Sequence, residues 1–316
     1  MNYKKNLYEC YNLYFMKYKN QSEKHIAHKK YVLNSFLSSL SDDVVYISRE
    51  DILKWQNQFN VAPNTLNGYL IILRQFLLFA KGYGLQTDIP IIRKYVDDYI
   101  PYLFSPEELR HLIEVADNNI SYSRVAGTKT FCFPMLLRLL AFSGTRLSET
   151  LTLKWKDYDG DNGILILKNT KRKKERYVPL HFTVNELLNQ YKYRLQKQYM
   201  ECDYLFPDNS LSTHITKQQF EYEFSKVVRK AGISVETGFY ERGVCAHCLR
   251  HYFAVGSFRK AIENGIDITD TLPLLSTYLG HERLRETEKY LKFSSDLFPD
   301  AIETFEKYSF GIFAGV

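Results

Sequence analysis

In the run His247-Cys248-Leu249-Arg250-His251, His247 and Arg250 stand three apart, which on a helix sets both on nearly one face. Further along, Leu279-Gly280-His281 brings another imidazole, and Tyr290 follows nine residues after it. A second helical segment would carry His281 and Tyr290 towards the first pair. Together these side chains offer fixed positive charge, titratable imidazoles and a phenol, without a carboxylate pair to hold a divalent metal. A phosphate diester is the substrate that calls for such groups. A guanidinium meets non-bridging oxygens with a fork of donors, and a tyrosine oxygen can attack phosphorus to form a covalent intermediate.

Two upstream stretches extend the same chemistry. In Ser143-Gly144-Thr145-Arg146-Leu147-Ser148-Glu149, Gly144 reads as a helix end and Thr145 as the next start. Arg146 then falls in a first turn, where backbone N–H groups point outward to an anion; its plainer role is a salt bridge to Glu149 or Asp157. The run Lys168-Asn169-Thr170-Lys171-Arg172-Lys173-Lys174 joins an apolar strand at 164–167 to a second that returns antiparallel at 175–180. Solvation alone accounts for most of these lysines. Cys245, His247, Cys248 and His251 raise a metal alternative, but only one cysteine pair has zinc-like spacing. The two cysteines read instead as small core-facing residues, and His251 as structural or as a support behind the site residues.

An arginine box, a basic hairpin, a second arginine box, Leu-Gly-His and a spaced tyrosine, in this order, resemble the tyrosine recombinase or phage-type integrase family over nearly the whole chain. The resemblance implies a mainly α fold with a small β-hairpin or sheet. Residues 1–95 would form a helical, core-binding (SAM-like) DNA-clamping domain and 96–104 a linker. A mixed α/β catalytic domain would occupy 105–316, its tail used in contacts between protomers. Carried over by position, Arg146 and Arg250 clamp the scissile phosphate and Glu149 supports them. His247 assists proton transfer, His281 bonds the phosphate or shapes the cradle, and Tyr290 is the nucleophile. Lys168 is the preferred acid towards the 5′ oxygen, with Lys171 as its alternative.

The implied activity is site-specific cleavage and rejoining of DNA through a 3′-phosphotyrosyl intermediate, with no metal or other cofactor. The implied partners are double-stranded DNA carrying recombination sites, a homotetramer on paired sites, and accessory DNA-bending proteins. Two other readings compete: a type IB topoisomerase-like nicking-closing enzyme, and a catalytically silent DNA-binding or architectural protein.

The elements that must position these residues are legible in part. The 316 residues, 45% hydrophobic and 25% charged, have the composition of a globular chain with room for two cores. A net charge of +6 permits DNA binding without establishing it. Five irregularly spaced cysteines and short, charge-interrupted apolar runs argue against a disulfide framework and a membrane span, and point to a cytoplasmic setting. The spacing predicts a helix over 22–40, with Ile26, Leu33, Leu37 and Leu40 on one face and Lys24, Lys29 and Lys30 elsewhere. Ser48 with Asp51 predicts a capped helix, Asn64 caps another that ends near Gly82, and a brief helix lies around 91–96. Ser105-Pro106-Glu107-Glu108 starts the second domain. Residues 131–142, 183–199 and 217–230 read as helices, and the connection within 258–274 reads as longer than the family form.

Overall fold

The computed structural model describes residues 3–19, 21–92, 101–120, 127–168, 175–199, 201–234 and 243–293. Its contacts divide the chain into Met1–Asp98 and Tyr99–Val316. Lys171, the tail from 294 onward and most of the expected short helix around 91–96 lie outside the described residues.

The first unit is helical: α1 (Tyr3–Lys17), α2 (Glu23–Ser39), α3 (Arg49–Gln56) and α4 (Pro63–Gly82). Ser22 caps α2 by accepting from the His25 N–H, and Ser48 and Asp51 form the expected reciprocal capping box of α3. The start of α4 differs from expectation, because Ala62 is the cap and Pro63 takes the first turn, leaving Asn64 inside the helix. Pro63 needs no N–H there, and its fixed φ already suits a helix. The core joins Leu33, Phe36 and Leu37 of α2 to Trp55 of α3 and to Leu73, Phe76 and Leu77 of α4. Lys29 departs from the expected charged face. It is 4% exposed, with its ammonium 4.6 Å from the Tyr18 ring centroid and 5.6 Å from that of Tyr14. The aromatic faces stabilise a cation whose burial otherwise lowers its pKa.

The second unit opens with α5 (Pro106–Asn118), capped by Ser105 and Glu108 as its sequence requires. The hydrophobic helix α6 (Gly127–Ser143) is buried on nearly every side and packs against α5, α8 (Phe182–Gln198), α9 (Lys217–Lys230) and α10 (Ala246–Glu263). A short helix, α7 (Leu147–Leu151), leads to an antiparallel sheet in the order β1 (Tyr158–Asp159), β2 (Ile164–Leu167), β3 (Arg176–Pro179). Leu165 pairs with Val178 and both are buried, so alternation along the strands turns one face to the core. After α10 come α11 (Ile268–Leu279) and α12 (Leu284–Phe293), and these three helices share an apolar cluster of Val255, Phe258, Leu275, Leu279 and Leu291. The architecture is therefore mainly α with a small sheet. In the connection expected to exceed the family form, α10 continues to Glu263 and residues 264–267 precede α11, whose cap Asp267 accepts from the Thr269 N–H.

Candidate active site

The ends of α6, β3, α10, α11 and α12 meet around two arginines. Gly144 follows α6 with φ +60 and Gly280 caps α11 with φ +67, the left-handed region in which glycine has no Cβ penalty. Each glycine also has a close neighbour. A Cβ on Gly144 would sit 2.3 Å from the Phe253 ring, and one on Gly280 would sit 2.8 Å from Arg176 Nη1. Their carbonyls accept from the arginines: Arg250 Nη1 donates to Gly144 O at 2.6 Å, and Arg146 Nη2 to Gly280 O at 3.1 Å. Arg250 Nη2 donates in addition to Leu279 O at 2.8 Å. Two tight turns thus set the planes of both guanidinium groups.

Arg146 sits at the N-cap of α7, one position before the helix, rather than in the first turn expected for it. Its N–H and its Nη1 both donate to Glu149, at 3.2 and 2.9 Å. The salt bridge to Glu149 that stood as its plainer role therefore exists, and it orients the arginine rather than hiding it, since the Arg146 side chain stays 32% exposed. Arg176 on β3 is the residue that sequence reasoning passed over. It grips both oxygens of Glu149, with Nη1 to Oε1 at 3.1 Å and Nη2 to Oε2 at 2.8 Å. Burial raises the Glu149 pKa, but the Arg176 and Arg146 guanidinium groups outweigh it and hold the carboxyl below its ordinary value.

Arg250 is 1% exposed, and among the described residues its Nε has no hydrogen-bond partner. Burial works against its charge and lowers its pKa, Tyr290 opposes that effect, and Arg146 adds to it. A buried guanidinium with a spare donor is what an anionic oxygen would satisfy. His281 completes its fixation, with Nε2 at 2.9 Å from Arg250 Nη2 and Nδ1 at 2.7 Å from Thr287 Oγ1. Arginine only donates, so His281 Nε2 is the bare acceptor and Nδ1–H donates to Thr287. Burial first, then Arg250 and Arg146, push the His281 pKa down to about 3 and keep this ring neutral.

Tyr290, on α12, is 3% exposed and lies among imidazoles. The His281 ring stacks 5.9 Å from it, and the His251 ring meets it edge-on at 5.2 Å. His247, exposed in the first turn of α10, packs edge-on against His251 at 4.6 Å. Burial, followed by the charges of His247, Arg250 and His281, brings the His251 pKa down to about 3. His251 thus contacts the Tyr290 ring directly as well as filling core. Lys168 is paired with Asp157. Its ammonium is 2.6 Å from Asp157 Oδ1, which raises its pKa, and Lys168, Asp157 and Glu149 line one small depression.

The pattern of the phage integrase family matches residues 103–295, a span that contains every one of these side chains. The chain belongs to this family. The tyrosine recombinase XerD of Rhizobium meliloti is 27% identical over 275 residues, covering 85% of this chain and 84% of that protein. Among solved structures, a lambda integrase (75-356) dimer bound to a COC′ core site aligns with a TM-score of 0.67 at 15% identity, covering 90% of this chain and 94% of that one. A lambda integrase tetramer bound to a Holliday junction gives 0.66 at 15% identity, over 90% of this chain and 76% of that one. At these identities the likeness to the solved structures is one of fold.

Proposed function

We propose that this integrase-family chain is a site-specific recombinase in which Tyr290 cleaves DNA and holds it as a 3′-phosphotyrosyl ester. The observation that carries the reading is the convergence of Arg146, Arg250, His281 and Tyr290 from separate elements, with Tyr290 interacting with Arg250 and its ring stacked on that of His281. In the proposed step the Tyr290 oxygen bonds to phosphorus, the bond from phosphorus to the 5′ oxygen breaks, and His247 takes up the phenol proton. A hairpin lysine, Lys168 or Lys171, returns a proton to the departing 5′ oxygen. Arg146 and Arg250 neutralise charge that grows on the non-bridging oxygens, and their pre-set planes avoid reorganisation as it develops. Glu149 and Arg176 keep Arg146 in place. The ester conserves the bond energy, so a 5′ hydroxyl from another duplex can reseal the strand.

Duplex DNA with recombination sites is the proposed partner, and a homotetramer on two such sites the proposed assembly, by analogy with the lambda integrase tetramer. The exposed Lys24, His25, His28 and Lys30 on α2 give the first unit a charged surface for phosphate.

The test is covalent trapping on nicked duplexes from the DNA flanking the gene, read on denaturing gels. The intact protein is expected to form a complex that Tyr290→Phe does not. Bound DNA without any covalent product would favour an architectural role. Relaxation of supercoils lacking paired sites would favour a nicking-closing enzyme.

A further inference from the structure

The first turn of α10 contains a second kind of chemistry. Cys245 is its N-cap and Cys248 its third residue, so the pair brackets His247 and ends two residues before Arg250. The two sulfurs lie 3.7 Å apart, and the Cys245 N–H donates to Cys248 Sγ at 3.4 Å. Both are thiols in this structure. Residues three apart on a helical turn have Cα atoms roughly 5 Å apart, inside the range a disulfide spans. Cys245 is half-buried and Cys248 is fully buried, so a reagent from solvent meets Cys245 first. A cap position also favours a thiolate, because unpaired N–H groups converge there. Cys248 is the partner that stays protonated: its contact with the Cys245 thiol, and then its burial, raise its pKa.

We infer that Cys245 and Cys248 form an oxidisable dithiol whose disulfide shuts down the proposed cleavage site, with hydrogen peroxide or a hydroperoxide as the oxidant. The Cys245 thiolate attacks a peroxide oxygen, the O–O bond breaks, and a sulfenic acid and hydroxide result. The Cys248 thiol then attacks the sulfenic sulfur and water leaves. Overall, two thiols and one hydrogen peroxide give one disulfide and two waters. Thiol exchange with a reducing dithiol reverses the change.

Closing the sulfurs from 3.7 Å to a bond of about 2.05 Å draws the two sulfurs together by roughly 1.6 Å, a movement shared between the side chains and the first turn of α10. His247 lies within that turn, and Arg250 follows on the same helix with its Nη1 fixed to Gly144 O. A displacement of about 1 Å in a reacting constellation can cost about 100-fold in rate. The effect on cleavage rests on the recombinase reading; the formation of the disulfide does not.

The experiment treats the full chain with hydrogen peroxide, alkylates it in denaturant, maps the peptides by mass, and measures covalent trapping before and after dithiothreitol. All five cysteines should alkylate in the reduced protein, and three after oxidation, with 245 and 248 recovered as one linked peptide. Trapping should slow by about 10- to 100-fold and recover on reduction. Cys245→Ser should trap DNA at the untreated rate and ignore peroxide, and Cys248→Ala provides a second variant that cannot close the link. Oxidation at other cysteines without a 245–248 link would overturn the dithiol. A quantitative link that leaves trapping unchanged would overturn the control of cleavage. Reduced protein that binds DNA but never traps it would instead count against the recombinase reading, while peptide mapping still decides the dithiol.

Discussion

Replacing Arg176 by Met should unsettle the second unit more than any exposed ion pair can, because Arg176 neutralises a carboxylate that has left water. The Glu149 side chain is 5% exposed and that of Arg176 13%. The carboxylate accepts from Arg176 Nη1 and Nη2 and from Arg146 Nη1 and N–H. Removing one partner of a buried pair costs about 3–5 kcal/mol. Arg146 keeps its share of the contacts, so about 2–3 kcal/mol is expected here, below the sum of two hydrogen bonds to a charged group at about 1.5–3 kcal/mol each. For a unit of this size that corresponds to a fall of about 4–12 °C in Tm.

The sign with pH follows from the depressed Glu149 pKa. Such a carboxylate adds stability above its unfolded pKa of about 4.3, and the contribution is lost as pH falls through the lower folded value. The gap between wild type and Arg176→Met should therefore be full at pH 7 and narrow below about pH 4. Calorimetry of the full chain at both pH values measures it. Arg176→Met with Glu149→Gln should lose less than Arg176→Met alone, because no charge is then stranded. Lys217→Ala, which breaks a pair exposed at 70% and 52%, is the control and should cost under about 0.5 kcal/mol. A loss in Arg176→Met as small as that control, or equal at both pH values, would refute the reasoning.

Thr287→Val removes the acceptor for His281 Nδ1–H and should slow covalent trapping about 10-fold, the equivalent of about 1.4 kcal/mol, with Thr287→Ser restoring the rate; an unchanged Val variant would deny Thr287 a positioning role. The hairpin acid can be assigned with a 5′-bridging phosphorothiolate, whose thiolate leaves without a proton: the true acid's Met variant should lose about 100- to 10,000-fold on ordinary DNA and recover on the sulfur substrate. Because Lys168 is held by Asp157, Lys171→Met is expected to show that rescue and Lys168→Met a smaller defect. His251 and His281 have folded pKa values of about 3, so the unfolded chain binds more protons between there and about 6.5 and stability falls as pH drops through that window. Urea midpoints at pH 7 and 5 should show the fall, and His251→Gln should reduce it.

What was legible in the sequence was what local chemistry decides. The capping pairs Ser48–Asp51 and Ser105–Glu108 announce their helices because donor and acceptor lie within one turn. Helix α1 gave no such signal: it has no acidic first turn, and its buried face becomes clear only where Tyr14 packs edge-on against Phe76 of α4. Lys29 is set by its position more than by its charge. It stands four residues before Leu33 and eight before Leu37, on their own buried stripe, and the rings of Tyr14 and Tyr18 decide its environment. The spacing of His247, Arg250, His281 and Tyr290 indicated which groups would meet, yet not what holds them.

That support is non-local and much of it is backbone. Arg250 is fixed by the carbonyls of Gly144 and Leu279, which lie 106 and 29 residues away, and Arg146 by that of Gly280, 134 residues away. A carbonyl has no letter in a sequence; only the glycines that let two of these chain segments turn are visible. Arg176 follows the same logic. Its aliphatic and guanidinium atoms fill the space a Gly280 Cβ would need, while its donors take Glu149, so one side chain ties the arginine box on α7 to the Leu-Gly-His turn on α11. The sequence signal for it was indirect: a buried acid beside one arginine calls for a second cation. Gly280→Ala would strain a positive φ and press on Arg176 together, and so should disturb Glu149 through Arg176 and Arg146 through the carbonyl it donates to.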